Sequence, residues 1–470
     1  MVFSSIPFLI YVLPVFLLFY HVVPFRYKNT ILLLASILLY SWGGPKFCIV
    51  ILTTTALDFY LVQRIYNSRG TSTAHVWLIL SLVLNLGLLV YFKYMNFFLE
   101  SFHFLFGINT PSLDIILPIG ISFYTFESLT YVFDVYRGEQ KPLQNVWTYQ
   151  TYIMFFPKLI AGPIIRYKDM AEALVHRYKQ DHAGLKISGF WLFCIGLSKK
   201  VILANTIGQQ ADAVFQLHTQ DINTVAAWVG ALAYTFQIYF DFSGYSDMAI
   251  GLGRMMGFRL ADNFNNPYTA ESITDFWKRW HISLGQWMRH YLYIPLGGNK
   301  NGIFNTYKNL ILVFLISGLW HGASFNFILW GAYHGLFLCL ERAFLNAILK
   351  RLPRLLRVLY TFLVVCLGWI VFKSEQLSQA QYFISKCFSM DFTDGKFALQ
   401  NTFTTVFILC ILFSFWILLK PLKRVQEYVF SEFKNPQHYW YFAMGAIVLF
   451  YISLSFIAAT EFNPFIYFRF

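Results

Sequence analysis

Apolar runs fill the chain from one end to the other, with polar residues punctuating them at intervals. Residues 5–24, 29–43, 46–63, 76–98, 115–134, 148–165, 186–205, 225–257, 307–322, 325–345, 356–373, 402–420 and 439–460 each form a stretch that lipid would tolerate. At 1.5 Å of rise per residue, ~20 such residues cross ~30 Å of hydrocarbon. The pattern predicts an all-α, polytopic integral membrane protein. Several runs are short or interrupted and 225–257 is long enough for a broken pair, so hydropathy supports about eleven to thirteen helices.

Composition agrees. Of 470 residues, 57% are hydrophobic, 20% aromatic and only 13% charged, whereas a soluble domain carries ~25% charged residues. The first run, "IPFLIYVLPVFLLFYHVVPF", has no basic region before it and no small-residue cleavage site after it, so it reads as a first transmembrane helix and not as a secretory signal. The net charge of +13 comes from basic residues set between apolar runs, at 64–69, 166–179 and 342–357. The positive-inside rule and anionic headgroups account for these, and nucleic acid is not an expected partner. Short loops, no visible repeat and no Gly/Ser linker suggest one membrane domain over residues 1–470. The six cysteines, at 48, 194, 339, 366, 387 and 410, form no CxxC pair and are expected to pack, without metal or disulfide.

Polar residues inside the runs narrow the picture. In "ILPIGISFYTFESLTYVFDVYRG", Glu127 and Asp134 share a helical face with Tyr131 between them and Arg137 one turn on. An ionisable group at membrane depth costs at least ~2.5 kcal/mol, so it must turn toward protein, water or a counter-charge; structural pairing with basic residues is the favoured reading here. In "YFDFSGYSDMAIGLGRMMGFR", Asp241 and Asp247 interrupt the longest apolar run, and Asp247, Gly251 and Arg254 fall on one face. That spacing suggests an intramembrane ion pair in a cavity wall. The glycines make neither a GxGxxG fingerprint nor a Walker loop, which excludes dinucleotide binding and nucleotide hydrolysis.

In "ITDFWKRWHISLGQWMRHYLYIPLGGNK", Phe276, Trp280, Leu284, Trp287 and Tyr291 recur every three or four residues. Such a stripe predicts a helix lying at the membrane interface, with Lys278, Arg279, Gln286 and Arg289 directed elsewhere. It carries His281. Forty residues later, "SGLWHGASFNFILWGAYHG" holds His321 and His334 in an apolar run. A neutral imidazole is cheaper to desolvate than a carboxylate and can take and return a proton near neutral pH. No serine elbow and no suitably placed cysteine stand near these histidines, so the chain offers no nucleophile signature of a hydrolase. A transfer between two bound substrates, assisted by histidine, fits better. On one continuous helix His321 and His334 would face opposite sides, which argues against a shared metal and ranks His334 as supporting.

Taken together, "LPIGISFYTFESLTYVFDVYRG", "FFPKLIAGPIIRYKD", "YFDFSGYSDMAIGLGRMMGF", "NFNNPY", "ITDFWKRWHISL", "YIPLGGNK" and "GLWHGASFNFILWGAYHG" resemble the membrane-bound O-acyltransferase (MBOAT) family, nearest to its bacterial branch that acetylates alginate or peptidoglycan. The resemblance runs from "MVFSS" to about residue 375, with the motifs concentrated in 115–345; residues 376–470 match only in being hydrophobic. It implies a ring of tilted helices around a central tunnel. It also implies that His321 of the WHG motif is essential for acyl transfer, with His281 beside the same tunnel and Trp320, Asp241, Asp247, Arg254, Trp280, Asn263 and His334 supporting it. The expected donor is acetyl-CoA on the cytoplasmic side, with no bound cofactor. The expected acceptor is a cell-envelope polysaccharide, reached through an outer-side esterase-like or transferase partner, and the expected location is the bacterial cytoplasmic (inner) membrane. Two alternatives remain open: D-alanyl transfer to teichoic acid from a carrier protein, and transport of a small solute, for which buried carboxylates and glycine-broken helices would serve equally.

Overall fold

The computed structural model describes residues 3–176, 182–218, 221–392, 408–414, 423–433 and 435–460. Met1 and Val2 of the opening motif, Lys179 of a basic cluster and most of the expected span 402–420 lie outside them. Helices make up the described chain, and its only β-type pairing is an isolated bridge between Phe264 and Trp280. Among the described residues six helices are long and apolar enough to cross a membrane: Pro45–Asn67, Ser72–Phe106, Ala183–Phe215, Gly302–His321, Arg354–Lys373 and Pro436–Ala459. The protein is a multi-pass membrane protein.

Two expected spans and the expected interfacial helix take another form. Residues 148–165 give two short helices, Val146–Met154 and Phe156–Leu159, because Pro157 cannot continue the first helix and opens the second at its first turn. Residues 225–257 form one unbroken 32-residue helix, Thr224–Met255, in place of a broken pair. Its glycines do not bend it; they admit neighbours. A Cβ on Gly244 would sit 2.7 Å from the carbonyl oxygen of Gly196, so only glycine lets the two backbones approach this closely. The interfacial helix expected along the stripe from Phe276 to Tyr291 is likewise divided, at His281.

The chain divides into two compact units. One comprises Met1–Phe193, Met248–Ala261 and Glu432–Met444; the other comprises Cys194–Asp247, Asp262–Ser431 and Gly445–Phe470. In the first, helices Pro45–Asn67, Ser72–Leu89 and Val146–Met154 close around Asp58. Its carboxylate accepts hydrogen bonds from Ser81 Oγ (2.5 Å), Asn85 Nδ2 (3.0 Å) and Tyr149 OH (2.8 Å). Glu127, on helix Ile121–Arg137, forms a fully buried ion pair with Lys158, whose ammonium also lies over the Tyr152 ring. The structural reading of Glu127 thus acquires its cation.

The second unit holds an extensive aromatic core. Trp280, Trp330, Trp369, Phe276, Tyr268 and Phe372 are all buried. Its helices Gly302–His321 and Phe325–Leu340 pack as an antiparallel hairpin. A Cβ on Gly318 would come 2.1 Å from the Phe327 carbonyl oxygen, and one on Gly331 would come 2.2 Å from that of Phe314. These two glycines therefore set how closely the hairpin closes.

Candidate active site

Four pieces of the second unit meet at the histidines. Helix Ile273–Arg279 begins at Ser272, whose hydroxyl accepts from Asp275 N–H. Its first turn is also held by the buried carboxylate of Glu341, which accepts from Ile273 N–H (2.6 Å), Thr274 N–H (2.9 Å) and Thr274 Oγ1 (2.7 Å). An anion satisfying the leading amides of a helix is favourable on both hydrogen-bonding and dipole grounds. The helix stops after Arg279, and His281 takes a left-handed conformation with φ of +45° before the next helix, Ile282–Met288, begins.

The break explains why the apolar stripe is not one helix. Asn263 supplies the hydrogen bonds a continuing helix would have made: its backbone carbonyl accepts from Ile282 N–H (3.0 Å), and its Oδ1 accepts from Ser283 N–H (3.3 Å) and Ser283 Oγ (2.9 Å). Asn265 N–H donates to the Arg279 carbonyl (2.9 Å), completing the bridge beside Trp280. All five stripe residues are nevertheless buried, because Phe276 and Trp280 face one side of the turn and Leu284, Trp287 and Tyr291 follow it. Trp280 packs on Phe264, Phe276 and Trp369 at centroid distances of 5.0, 5.6 and 4.9 Å. It is a core residue.

His281 is 1% exposed. Its Nδ1 lies 3.1 Å from Asn263 Oδ1, and its ring meets Phe242 at 4.7 Å and Trp320 at 6.0 Å. Burial pushes the pKa of this imidazole down to about 3, so it is neutral at physiological pH. Trp320 in turn contacts His321 at 4.9 Å. The structure thus brings His281 and His321 to one indole, although forty residues separate them.

His321 ends its helix. The chain extends through Gly322 and turns before Phe325–Leu340, so the continuous helix expected from His321 to His334 is replaced by the hairpin. His334 consequently approaches the neighbourhood of His321: both rings contact Trp330, at 5.2 and 5.1 Å. Phe372 completes the wall at 5.3 Å from His321. His334 itself is fully buried against Trp277, with Gly368 leaving room for its Nε2. Among the described residues no group of three His, Cys, Asp or Glu side chains could hold a metal.

Two carboxylates of helix Thr224–Met255 pair with lysines. Lys200 Nζ lies 2.6 Å from Asp241 and donates to Asn205 Oδ1 at 3.0 Å; Lys199 Nζ lies 2.6 Å from Asp247. The cation beside Asp247 is Lys199. On a helix, seven residues separate Asp247 and Arg254 by two turns, ~10.5 Å, whereas Gly244 lets the lysine-bearing helix come alongside. Arg254 falls in the first unit, where its charge acts on Glu432. Both lysines open a π-helical turn, Lys199–Ala204, a distortion that recurs at functional sites. "GLSKKVIL" could have been read as two cations in an apolar run. Asn263 was marked by its motif though not its anchoring role, and Glu341 had no such local signal.

The family model for MBOAT, the membrane-bound O-acyltransferase family, matches residues 47–354. A protein of Pseudomonas aeruginosa named "Probable alginate O-acetylase AlgI" is 47% identical over 396 residues, covering 83% of this chain and 75% of that protein. The "Peptidoglycan O-acetyltransferase" of Helicobacter pylori is 36% identical over 414 residues, covering 81% and 78%. The "Teichoic acid D-alanyltransferase" of Bacillus subtilis is 31% identical over 290 residues, covering 56% and 71%. With the motif histidines gathered on one indole and this similarity along most of its length, the chain belongs to the membrane-bound O-acyltransferase family and is an O-acyltransferase.

Proposed function

We propose that this protein moves an acetyl group from a cytoplasmic thioester, acetyl-CoA, toward a hydroxyl of a cell-envelope polysaccharide, alginate-like or peptidoglycan. The observation that carries the reading is the convergence of His281 and His321 on Trp320. It is supported by relatives named for alginate and peptidoglycan O-acetylation, which match more of the chain at higher identity than the D-alanyltransferase does. In this reading the acceptor oxygen forms a bond to the acetyl carbonyl carbon, the C–S bond breaks, and the hydroxyl proton leaves with the thiol. His321 either takes that proton or carries the acetyl group in passing; both roles need a neutral, buried imidazole. Trp280 and Trp320 shape the site, and the two Lys–Asp pairs hold its wall. A separate outer-side protein of esterase-like or transferase type receives or places the acetyl group, and the bacterial inner membrane is the setting.

The test is release of acetate from the envelope glycan by mild base, comparing a deletion strain complemented with wild type or with His321→Ala at matched membrane levels. Wild type alone is expected to restore base-labile acetate. Equal restoration by both would return His321 to a packing role, and a base-labile alanyl ester in its place would establish the D-alanyl alternative.

A further inference from the structure

Donor and acceptor accounting around His281 specifies more than its position. The amide of Asn263 has its orientation fixed by a backbone group: Ser283 N–H can only donate, so the atom it meets at 3.3 Å is the oxygen. The opposite end, Nδ2, donates to Ser246 Oγ at 3.1 Å. The same oxygen faces His281 Nδ1 at 3.1 Å. An oxygen that can only accept requires a proton on that nitrogen, so the neutral ring is the Nδ1–H tautomer. Nε2 is then a bare lone pair, and it is buried with no hydrogen-bond partner among the described residues. A buried acceptor left unmade is costly, and a suitable ligand would recover that cost.

We propose that His281 is the subsite for an O–H group of the acceptor, and that Asn263 is the positioning residue that makes it so by holding the ring as its Nδ1–H tautomer. A lone pair accepts from a hydroxyl and repels a carbonyl oxygen, so the polyol binds here and the acyl carbonyl does not. The left-handed turn at His281 serves the same end. Asn263 holds both Ile282 and Ser283 by their backbone amides, so ring and turn are fixed by one residue. This assignment rests on the acetyl-transfer reading for the identity of the acceptor, while the tautomer stands on geometry alone.

The test uses the full chain in lipid nanodiscs with nitrogen-labelled histidine. The spectrum of wild type should show His281 protonated at Nδ1 and bare at Nε2. Asn263→Asp, which keeps the accepting oxygen, should preserve that pattern, and Asn263→Leu should lose it. Adding an alginate oligomer or a peptidoglycan fragment should move the Nε2 resonance, whereas acetyl-CoA alone should not. In transfer of label from radiolabelled acetyl-CoA, Asn263→Leu should raise the acceptor KM about tenfold, the scale of one hydrogen bond, while the acetyl-CoA KM stays put. In a His281→Gly background, where glycine accepts the left-handed turn, the same substitution should add nothing. A proton on Nε2 in wild type, a resonance moved by acetyl-CoA and by neither glycan, or an equal penalty in both backgrounds would each overturn the proposal. An inactive wild-type chain that still shows Nδ1–H would instead count against acetyl transfer and leave the tautomer assignment standing.

Discussion

Buried polar groups are handled differently in two regions of the molecule, around Asp58 and Glu127 in the first unit and around the histidines in the second. Around Asp58 they close on one another, three neutral donors meeting the carboxylate, and Glu127 and Lys158 neutralise each other although Glu127 Oε1 has no hydrogen bond among the described residues. Around the histidines of the second, capacity is left over. His281 Nε2, both ring nitrogens of His334 and the indole nitrogens of Trp277 and Trp330 are buried without hydrogen bonds among the described residues. An unmade hydrogen bond inside a protein is expensive. A closed set of partners holds its helices together, whereas an open one leaves groups whose hydrogen bonds a ligand would complete.

Substitution should separate these two kinds of region by the quantity that moves. The largest effect is expected at the open one: His321→Ala should lower acetyl transfer by ~10²- to 10⁴-fold, the range for losing an acid–base group, at unchanged protein recovery. In the closed region recovery should fall instead. Glu127→Gln leaves the Lys158 ammonium buried without a counter-ion, at a cost of ~3–5 kcal/mol. Thermal unfolding in detergent should show it, and the double variant Glu127→Gln/Lys158→Met should regain most of the loss. If the double variant were no better than the single, the pair would not be the closed unit described here. Asp58→Asn is a milder break, since Asn retains one acceptor and asks one donor to turn around; ~1–3 kcal/mol is expected. A fall in acetyl transfer per folded molecule in this variant would show that the Asp58 cluster is not purely structural.

What the sequence made legible follows from the range of the forces involved. The all-α membrane class is written in composition and run length, which are local and redundant, and the ordered motifs pointed to His281 and His321 without any geometry. The divided stripe at His281 was not legible, because Phe276, Trp280, Leu284, Trp287 and Tyr291 keep helical spacing across the break. The break is imposed by Asn263 from another part of the chain. The hairpin between His321 and His334 left a faint mark in "HGAS", a glycine followed by a serine at the start of the next helix, but apolar residues on both sides hid it. The pairing of Asp247 with Lys199 needed a tertiary contact, made by a lysine on a neighbouring helix. Local periodicity reports which face is apolar; it does not report which partner arrives there.

His334 gives the smallest and most discriminating change. Its ring is enclosed by Trp277, Trp330 and Tyr333 at centroid distances of 5.0, 5.1 and 5.2 Å, and neither nitrogen has a hydrogen-bond partner among the described residues. If the ring only fills space, His334→Phe removes two costly polar atoms while keeping a flat aromatic body, and replacing an unsatisfied polar group by an apolar one of similar shape is close to neutral. The extra ring atom must fit against Gly368, where His334 Nε2 already lies 2.8 Å from where a Cβ would stand, so a penalty within about 1.5 kcal/mol is expected from the fit. Thermal stability and acetyl transfer should both stay near wild type. A variant equally stable but strongly impaired in transfer would show that the unmet nitrogens of His334 serve the reaction and not only the packing.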